Sequence, residues 1–530
     1  MKLSVKKIEF ILIVILYLSA LYIWTLPIQK NKLPFGDVDA SSHFTIGDYM
    51  VAYDKSIAKI PYPITFRYNG QNAMFPDYLW YPPQYWTNLG IAQVLGGDRI
   101  LPPFIIVAIF SSLIILSSYF LIRSLFGFWP AFLSSFLLIV STRDYMIYLW
   151  GQWPQSLSFA FTPMILYCFY RYCKNYKESQ NKPIYLYVMA IFLSGQFFFH
   201  PQGMIASVAA LIIFVAILIF KDKKIPFSIK HLIISVILFA FVSAAFAPLN
   251  IGEFFSSLGE KQSNAQSFQF DKLFKWYQGI KNDPGLPDFY FEYNKAHGSL
   301  QGGLLSWWTL PFLLIGLFAL AYRRKEEDLL LLGWFASFYF LTRLVVFGFG
   351  SRDIRMFAYE AHVFYPIIAV GLLSISSFSR RNILRKYLKY GLIALFLILA
   401  VSVNGKSTYG VLKGQQYSIG RINPAQYEAA EWLRSNVEEK ADIYNIGTLG
   451  YQYYGAKIKW LGVLSQRHFI INAEEINSTD YIFLDYTDAL LLRDQNYANA
   501  LQNVEKNFQN ASAIYNKNSI KVYKVAGIKI

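Results

Sequence analysis

Cysteine is scarce: Cys168 and Cys173 are the only two in 530 residues, and both stand near the end of one apolar segment. A disulfide framework is thereby excluded, and no cysteine or histidine spacing suits structural zinc. Acidic residues are also thin, 33 against 49 lysines and arginines, which leaves a formal charge of +16. In a soluble protein that excess would point to nucleic acid. Here the basic residues gather in short loops between apolar runs, the pattern of cytoplasmic loops in membrane proteins, so nucleic acid drops out as a partner. No internal repeat is visible, and no small-residue cleavage site follows the first apolar run. The run 8–28, preceded by Lys2, Lys6 and Lys7, therefore reads as an uncleaved first span rather than a signal peptide.

What is present is apolar. The chain is 55% hydrophobic and 18% aromatic, with a mean hydropathy of +0.32, which suits a polytopic membrane protein better than a soluble enzyme. Apolar runs of roughly 17 to 25 residues give about eleven spans: 8–28, 101–122, 126–141, 156–172, 184–199, 203–220, 231–249, 303–322, 329–349, 362–378 and 388–403. Arg123, the stretch 171–182, Lys221 with Lys223 and Lys224, Arg323-Arg324-Lys325, and Arg380-Arg381 with Arg385 and Lys386 then fall on the side of the N-terminal lysines, the cytoplasmic side. The other face receives the loop 29–100, the loops around Trp150, His200 and Arg352, the loop 250–302, and everything from 404 onward.

Beyond 404 the hydropathy falls. Asn423-Pro424-Ala425-Gln426 reads as a capped helix start. Apolar runs at 441–446, 481–485 and 520–525, with a helical stretch near 488–508, suggest a small α/β fold. The expected architecture is mainly α: a polytopic helical bundle over 1–403 with a long first outer loop, and a small extracytoplasmic α/β domain over 404–530. The chain is expected to be multi-pass in the plasma membrane, N-terminus cytoplasmic.

Ionisable groups concentrate on the outer face. Gly36-Asp37-Val38-Asp39-Ala40-Ser41-Ser42-His43 sets two carboxylates one residue apart, and a helix opening at Asp39 would put its side chain and that of His43 on one face. Asp37 or Ser41 is the expected cap. The stretch reads either as a capped, solvated loop or as a candidate catalytic or metal-ligating site, with Asp39 and His43 as neighbouring ligands for Mg²⁺ or Mn²⁺. Trp80-Tyr81-Pro82-Pro83-Gln84-Tyr85-Trp86 reads as aromatic anchoring at the lipid interface. Arg143 and Asp144 are expected to pair or to line a cavity. Arg343 lies inside an apolar run, which marks a functional site unless it snorkels outward. Arg352 and Arg355 either bind phosphate or pair with Asp353 or Glu360. His200, beside a proline at a span end, is a further cavity candidate or simply structural.

The chain resembles the GT-C superfamily of integral-membrane glycosyltransferases, most nearly its uncharacterised prokaryotic members. Gly36-Asp37-Val38-Asp39 is similar to the acidic motif of that family, Gly151-Gln152-Trp153-Pro154 to a loop before a span, and Arg355-Met356-Phe357 to the arginine near the lipid phosphate. Tyr427-Glu428-Ala429-Ala430-Glu431-Trp432-Leu433 resembles the onset of the outer domains. Ser306-Trp307-Trp308-Thr309 departs from the Trp-Trp-Asp-Tyr-Gly motif of oligosaccharyltransferase subunits. The resemblance implies an inverting transferase that uses a lipid-linked sugar donor within membrane lipid, with the acceptor unspecified. Asp37 or Asp39 would act as base, and Arg352, Arg355 and Arg343 would bind the donor phosphate. A non-catalytic scaffold, a flippase-like carrier and a divergent oligosaccharide-transferring enzyme stay open beside it.

Overall fold

The computed structural model describes residues 5–36, 38–52, 84–180, 182–246, 307–342, 353–377, 382–414, 421–449, 456–470, 479–508 and 510–525. Helices come first: α1 (Val5–Trp24), α2 (Val38–Ala52), α3 (Gln84–Gly96), α4 (Leu101–Phe126), α5 (Phe128–Ile139), α6 (Thr142–Leu149), α7 (Trp153–Phe159), α8 (Phe161–Lys177), α9 (Ile184–Phe199), α10 (Pro201–Asp222) and α11 (Ile229–Phe246). Then follow α12 (Leu310–Arg323), α13 (Glu326–Leu341), α14 (Asp353–Glu360), α15 (Phe364–Ser377), α16 (Asn382–Leu399) and α17 (Lys406–Gly414). The last part is mixed: α18 (Pro424–Asn436), β1 (Asp442–Ile446), α19 (Ala456–Ser465), β2 (His468–Ile470), β3 (Tyr481–Asp485), α20 (Thr487–Leu492), α21 (Gln495–Glu505), β4 (Ser512–Lys517) and β5 (Ile520–Lys524).

Five described helices are long and apolar enough to cross a membrane, six if the bent pair 128–139 and 143–149 is one span. The hydropathy reading expects about eleven. The difference has a local cause: several runs are cut short or broken. The run 156–172 breaks at Ala160 between α7 and α8, and α9 and α12 reach only 16 and 14 residues.

The basic loops meet at one end of the bundle. Arg123 at the end of α4 pairs with Glu9 of α1 at 2.5 Å. Lys177 joins Asp222 and Glu326, the latter at 2.8 Å, and so ties α8, α10 and α13 together. Arg323 reaches Asp328 at 2.5 Å.

At the opposite end sits the sheet, in the order β2-β1-β3-β5-β4. Its strands β2, β1 and β3 are parallel, and β5 and β4 complete it antiparallel. Three strands lie where the apolar runs suggest; β2 and β4 are additional, and the expected 488–508 helix is split into α20 and α21. The cap of α18 has the expected form: Asn423 Oδ1 accepts from the Gln426 backbone N–H at 2.9 Å, and Gln426 Oε1 accepts from the Asn423 N–H at 3.1 Å. On the bundle side, Ala429, Ala430 and Leu433 of α18 and Trp460, Leu461 and Leu464 of α19 belong to one apolar core continuous with the membrane helices.

Arg99, just before α4, clamps the two parts. Its guanidinium grips Asp48 of α2 with two hydrogen bonds, 2.8 and 2.6 Å, and donates to Glu431 of α18 at 2.9 Å. It also donates to the Val463 and Leu464 carbonyls of α19, at 3.0 and 2.8 Å. Burial alone would lower its pKa, but the Asp48 carboxylate more than offsets this and holds it above the ordinary arginine value. Losing one partner of such a pair leaves a buried charge alone, at a cost of about 3 kcal/mol. Arg99→Ala is therefore expected to lower the melting temperature by several degrees. Arg99→Lys should recover less than half of that loss, because lysine lacks the planar fork; a lysine variant as stable as the wild type would show that charge alone suffices.

Candidate functional site

The acidic stretch begins where regular structure stops. After α1 and a single turn Leu26–Gln29 the chain runs irregularly to Gly36, then enters α2 at Val38. Asp37 lies outside the described residues. Asp39 occupies the first turn of α2 and is exposed. Ser41 does not cap the helix: it is buried within α2, and its carbonyl accepts from Thr45 Oγ1 at 2.7 Å.

Two glycines allow a close approach at this point. Gly151 has φ +85°, and a Cβ there would stand 2.5 Å from Ala40 Cα. Gly36 has φ +103°, and a Cβ there would lie 2.5 Å from the Ala40 Cβ and 3.5 Å from the Trp153 ring. Both positions need glycine for conformation and for space. The Gly36–Asp39 motif and the Gly151–Pro154 motif thus pack directly on each other.

His43 stands on the same helix. The Trp86 indole N–H donates to His43 Nδ1 at 2.9 Å, and the rings of Trp86, Trp153 and Tyr85 surround it at centroid distances of 6.2, 6.4 and 6.1 Å. An indole can only donate, so Nδ1 must offer its lone pair and the neutral ring carries its proton on Nε2. No lone pair is then left for a metal, and the expected Asp39–His43 cation pair does not fit this geometry. Among the described residues no three His, Cys, Asp or Glu side chains converge as metal ligands. Burial pushes the imidazole pKa down to about 3. Tyr85 and Trp86 are buried, 1% and 2% exposed; they cover His43 instead of anchoring at the lipid interface.

Arg143 and Asp144, at the start of α6, form a buried pair at 2.6 Å. His362 Nε2 approaches Asp144 Oδ1 at 2.9 Å, and Arg143 Nη1 donates to the Ala358 carbonyl at 2.6 Å. This joins α6 to α14. Phe159, at the far end of α7, packs against the rings of His362 and Tyr359, at 4.7 and 5.2 Å. His200, in the extended residue between α9 and α10, is buried with its ring 5.5 Å from that of Tyr359. Arg355 lies in the first turn of α14, its side chain outside the description, and Arg343 and Arg352 fall outside the described residues. Glu360 is fully buried beside Ser337 and Trp334; its expected pairing with Arg355 falls outside the described side chains.

Two cationic and aromatic anchors of the acidic stretch escape sequence reasoning. Arg421 donates to the carbonyls of Pro34, at 2.9 Å, and of Pro27 and Leu33. Burial lowers its pKa to about 10, which leaves it charged at neutral pH. The Trp460 indole donates to the Gly36 carbonyl at 3.0 Å. A lone arginine after the last span, and a tryptophan in an otherwise short helix, are the only signals the sequence offers for them.

The membrane helices and the capping sheet define an integral-membrane protein with the fold of the GT-C glycosyltransferases. ArnT of Cupriavidus metallidurans, in the apo state, superposes with a TM-score of 0.54 at 11% identity over 96% of this chain and 97% of its own; the same protein is also solved with undecaprenyl phosphate. The oligosaccharyltransferase of Archaeoglobus fulgidus, tethered to an acceptor peptide, gives 0.53 at 14% identity over 93% and 72%. The arabinofuranosyltransferase AftD from Mycobacteria gives 0.54 at 11% identity, covering 99% of this chain and 40% of AftD. At these identities the likeness is one of fold. By sequence, the model of a family of unknown function, DUF6541, matches residues 88–359, and the chain belongs to that family. No curated protein matches it. The matched stretch contains Arg143, Asp144, His200 and Arg355 and excludes the acidic motif.

The state of His43 has a measurable consequence. The unfolded imidazole takes up a proton as pH falls below its ordinary 6.5, the folded one only near 3. The unfolded chain therefore binds more protons across that window, and the contribution of His43 to stability is complete above pH 6.5 and lost as pH falls toward 3. The melting-temperature advantage of the wild type over His43→Gln should shrink between pH 7 and pH 4. A constant difference would show that the ring is not held neutral.

Proposed function

We propose that this protein transfers a sugar from a polyprenyl-phosphate-type lipid donor to an acceptor, at the membrane face where residues 27–36 emerge. The reading takes that face as extracytoplasmic and the membrane as the plasma membrane. One observation carries it: α7 has Trp153 beside the acidic stretch at one end and Phe159 against α14 at the other. At 1.5 Å per residue, seven residues separate the two by roughly 10 Å, a gap on the scale of one phosphosugar. The solved ArnT complex with undecaprenyl phosphate supports a lipid phosphate as the donor's leaving group.

In this reading Asp39 or Asp37 removes the proton from an acceptor hydroxyl. The oxygen attacks the anomeric carbon from the face opposite the phosphate, the carbon–oxygen bond to phosphate breaks, and the configuration inverts. Negative charge builds on the departing lipid phosphate, and Arg355, with Arg352 and Arg343, neutralises it. Arg143 acts indirectly, by holding the Ala358 carbonyl three residues beyond Arg355. A divalent cation, should the reaction use one, takes ligands other than His43. Trp308 donates to Asn404 at 3.2 Å, a helix-packing role that does not favour the oligosaccharyltransferase alternative.

The test is turnover of purified protein with a panel of polyprenyl-phosphate sugars, read by mass spectrometry. Asp39→Asn keeps shape and removes the base, so the rate should fall roughly 100- to 10,000-fold; a rate within a few-fold of wild type would sink the assignment, and the same change at Asp37 tells which carboxylate leads.

Arg355→Lys separates donor binding from structure. If the guanidinium grips two phosphate oxygens, lysine should weaken donor binding at an unchanged melting temperature. Unchanged donor affinity with a lowered melting temperature would return Arg355 to a structural role.

A further inference from the structure

We propose that α20 is a membrane-interface anchor, its leucines seated in the lipid surface beside the outer end of α1. Beyond residue 409 the described chain keeps its large apolar side chains inside, with three exceptions. Leu490, Leu491 and Leu492 are 58%, 59% and 49% exposed. The other large apolar side chains exposed in the described chain belong to residues 8–409, which carry the membrane helices and the loops between them. A sheet unit that otherwise sequesters such groups, on both faces of its sheet, has left three consecutive leucines in one place. Such a patch marks a contact.

The bonding around α20 says what the contact is with. Arg421 is fixed to the carbonyls of Pro27, Leu33 and Pro34, immediately beyond the end of α1 at Trp24. Two residues later, Asn423 Nδ2 donates to Thr487 Oγ1 at 2.8 Å, which pins the first residue of α20 beside that boundary. At 1.5 Å per residue, Leu490 to Leu492 follow within roughly 8 Å of Thr487 along the helix. Only 17% of the apolar window of α1 is buried within the protein, so lipid lies alongside.

The chemistry around α20 divides as a lipid interface does. Leu490 and Leu491, with Pro424 and Ala425, form the apolar side of a cleft of about 450 Å³ whose polar side is Asn423, Thr487, Asn518, Ser519 and Glu428, the last neutralised by its ion pair with Lys517. Arg493, exposed and in the left-handed conformation that ends the helix, follows the leucines directly. Apolar groups at the acyl boundary, hydrogen-bonding groups at headgroup depth and a cation facing anionic headgroups are what an interfacial helix presents. The inference rests on the membrane-spanning reading of the helices and is independent of the transferase reading.

The experiment uses the full-length chain, with a cysteine at position 491 (Leu491→Cys) carrying an environment-sensitive fluorophore. Cys168 and Cys173 are buried and escape labelling. The protein is placed in nanodiscs of phosphatidylcholine and phosphatidylglycerol whose acyl chains bear a shallow nitroxide, with Asn499→Cys on α21 as a polar control. The expected result is blue-shifted emission at 491, quenched several-fold by the nitroxide lipid, with water-like, unquenched emission at 499. Water-like, unquenched emission at 491 would overturn the proposal. A blue shift without lipid quenching would overturn it as well, since it would mean that protein, a second copy or another partner, covers the leucines.

Discussion

Irregular backbone buried at a membrane boundary has carbonyl groups that need donors, and neither excluded water nor hydrocarbon supplies them. The stretch from Pro27 to Gly36 meets this constraint through side chains drawn from the far end of the chain. Arg421 supplies donors to three carbonyls and Trp460 to a fourth. Without them each buried carbonyl would carry its full desolvation penalty. The route into α2 would then be decided by something other than the native pairing. The position of Asp39 is thus set from outside the membrane helices, and the sheet unit is part of the site's scaffold.

The same bonds mark where sequence reading succeeds and stops. Local relations were legible. The capping box at Asn423, the pairing open to Arg143 and Asp144, and the glycine of Gly151-Gln152-Trp153-Pro154 all depend on residues near each other in the chain. The partners of Arg421 and Trp460, and Glu431 as a partner of Arg99, lie hundreds of residues away, and no pattern in a single sequence connects them. Charge reasoning therefore paired arginines with the nearest acids, such as Asp353 and Glu360. The fold also sets His362 against Arg143 and Asp144, a pairing that charge alone does not point to. Hydropathy has a different limit: a window registers apolar content and not the break at Ala160 or the short reach of α12, so it counts about eleven runs where five or six of the described helices are long and apolar enough to cross a membrane.

His43 is a further case in which local spacing misled. An aspartate and a histidine four apart on a helix satisfy the geometry of a shared ligand set, but spacing says nothing of what the other ring nitrogen meets. A ligating imidazole normally donates its other ring N–H to an acceptor. Here the neighbour is an indole, which has a proton to give and no lone pair to offer, and it turns the ring from a ligand into an acceptor.

The two ends of the proposed site are held by different means, and this bears on how they can move. The acidic end is fixed by hydrogen bonds from α19 and from the segment before α18, the other end by the buried Arg143–Asp144–His362 cluster. Burying three ionisable groups is costly, and such clusters contribute little net stability. What this one provides is direction, because the guanidinium and the carboxylate meet in a fixed geometry and the Ala358 carbonyl completes it. Between the ends runs α7, opened by Trp153 and Pro154 and buried along its length. A helix of this kind bends or tilts before it stretches, since its length is fixed by its backbone hydrogen bonds. Loosening either clamp should therefore change the angle at which donor and acceptor face each other while leaving their separation nearly constant. Misorientation at constant separation acts on the reacting geometry more than on binding, so damage at Arg421 or Asp144 belongs with the turnover rate and not with donor affinity.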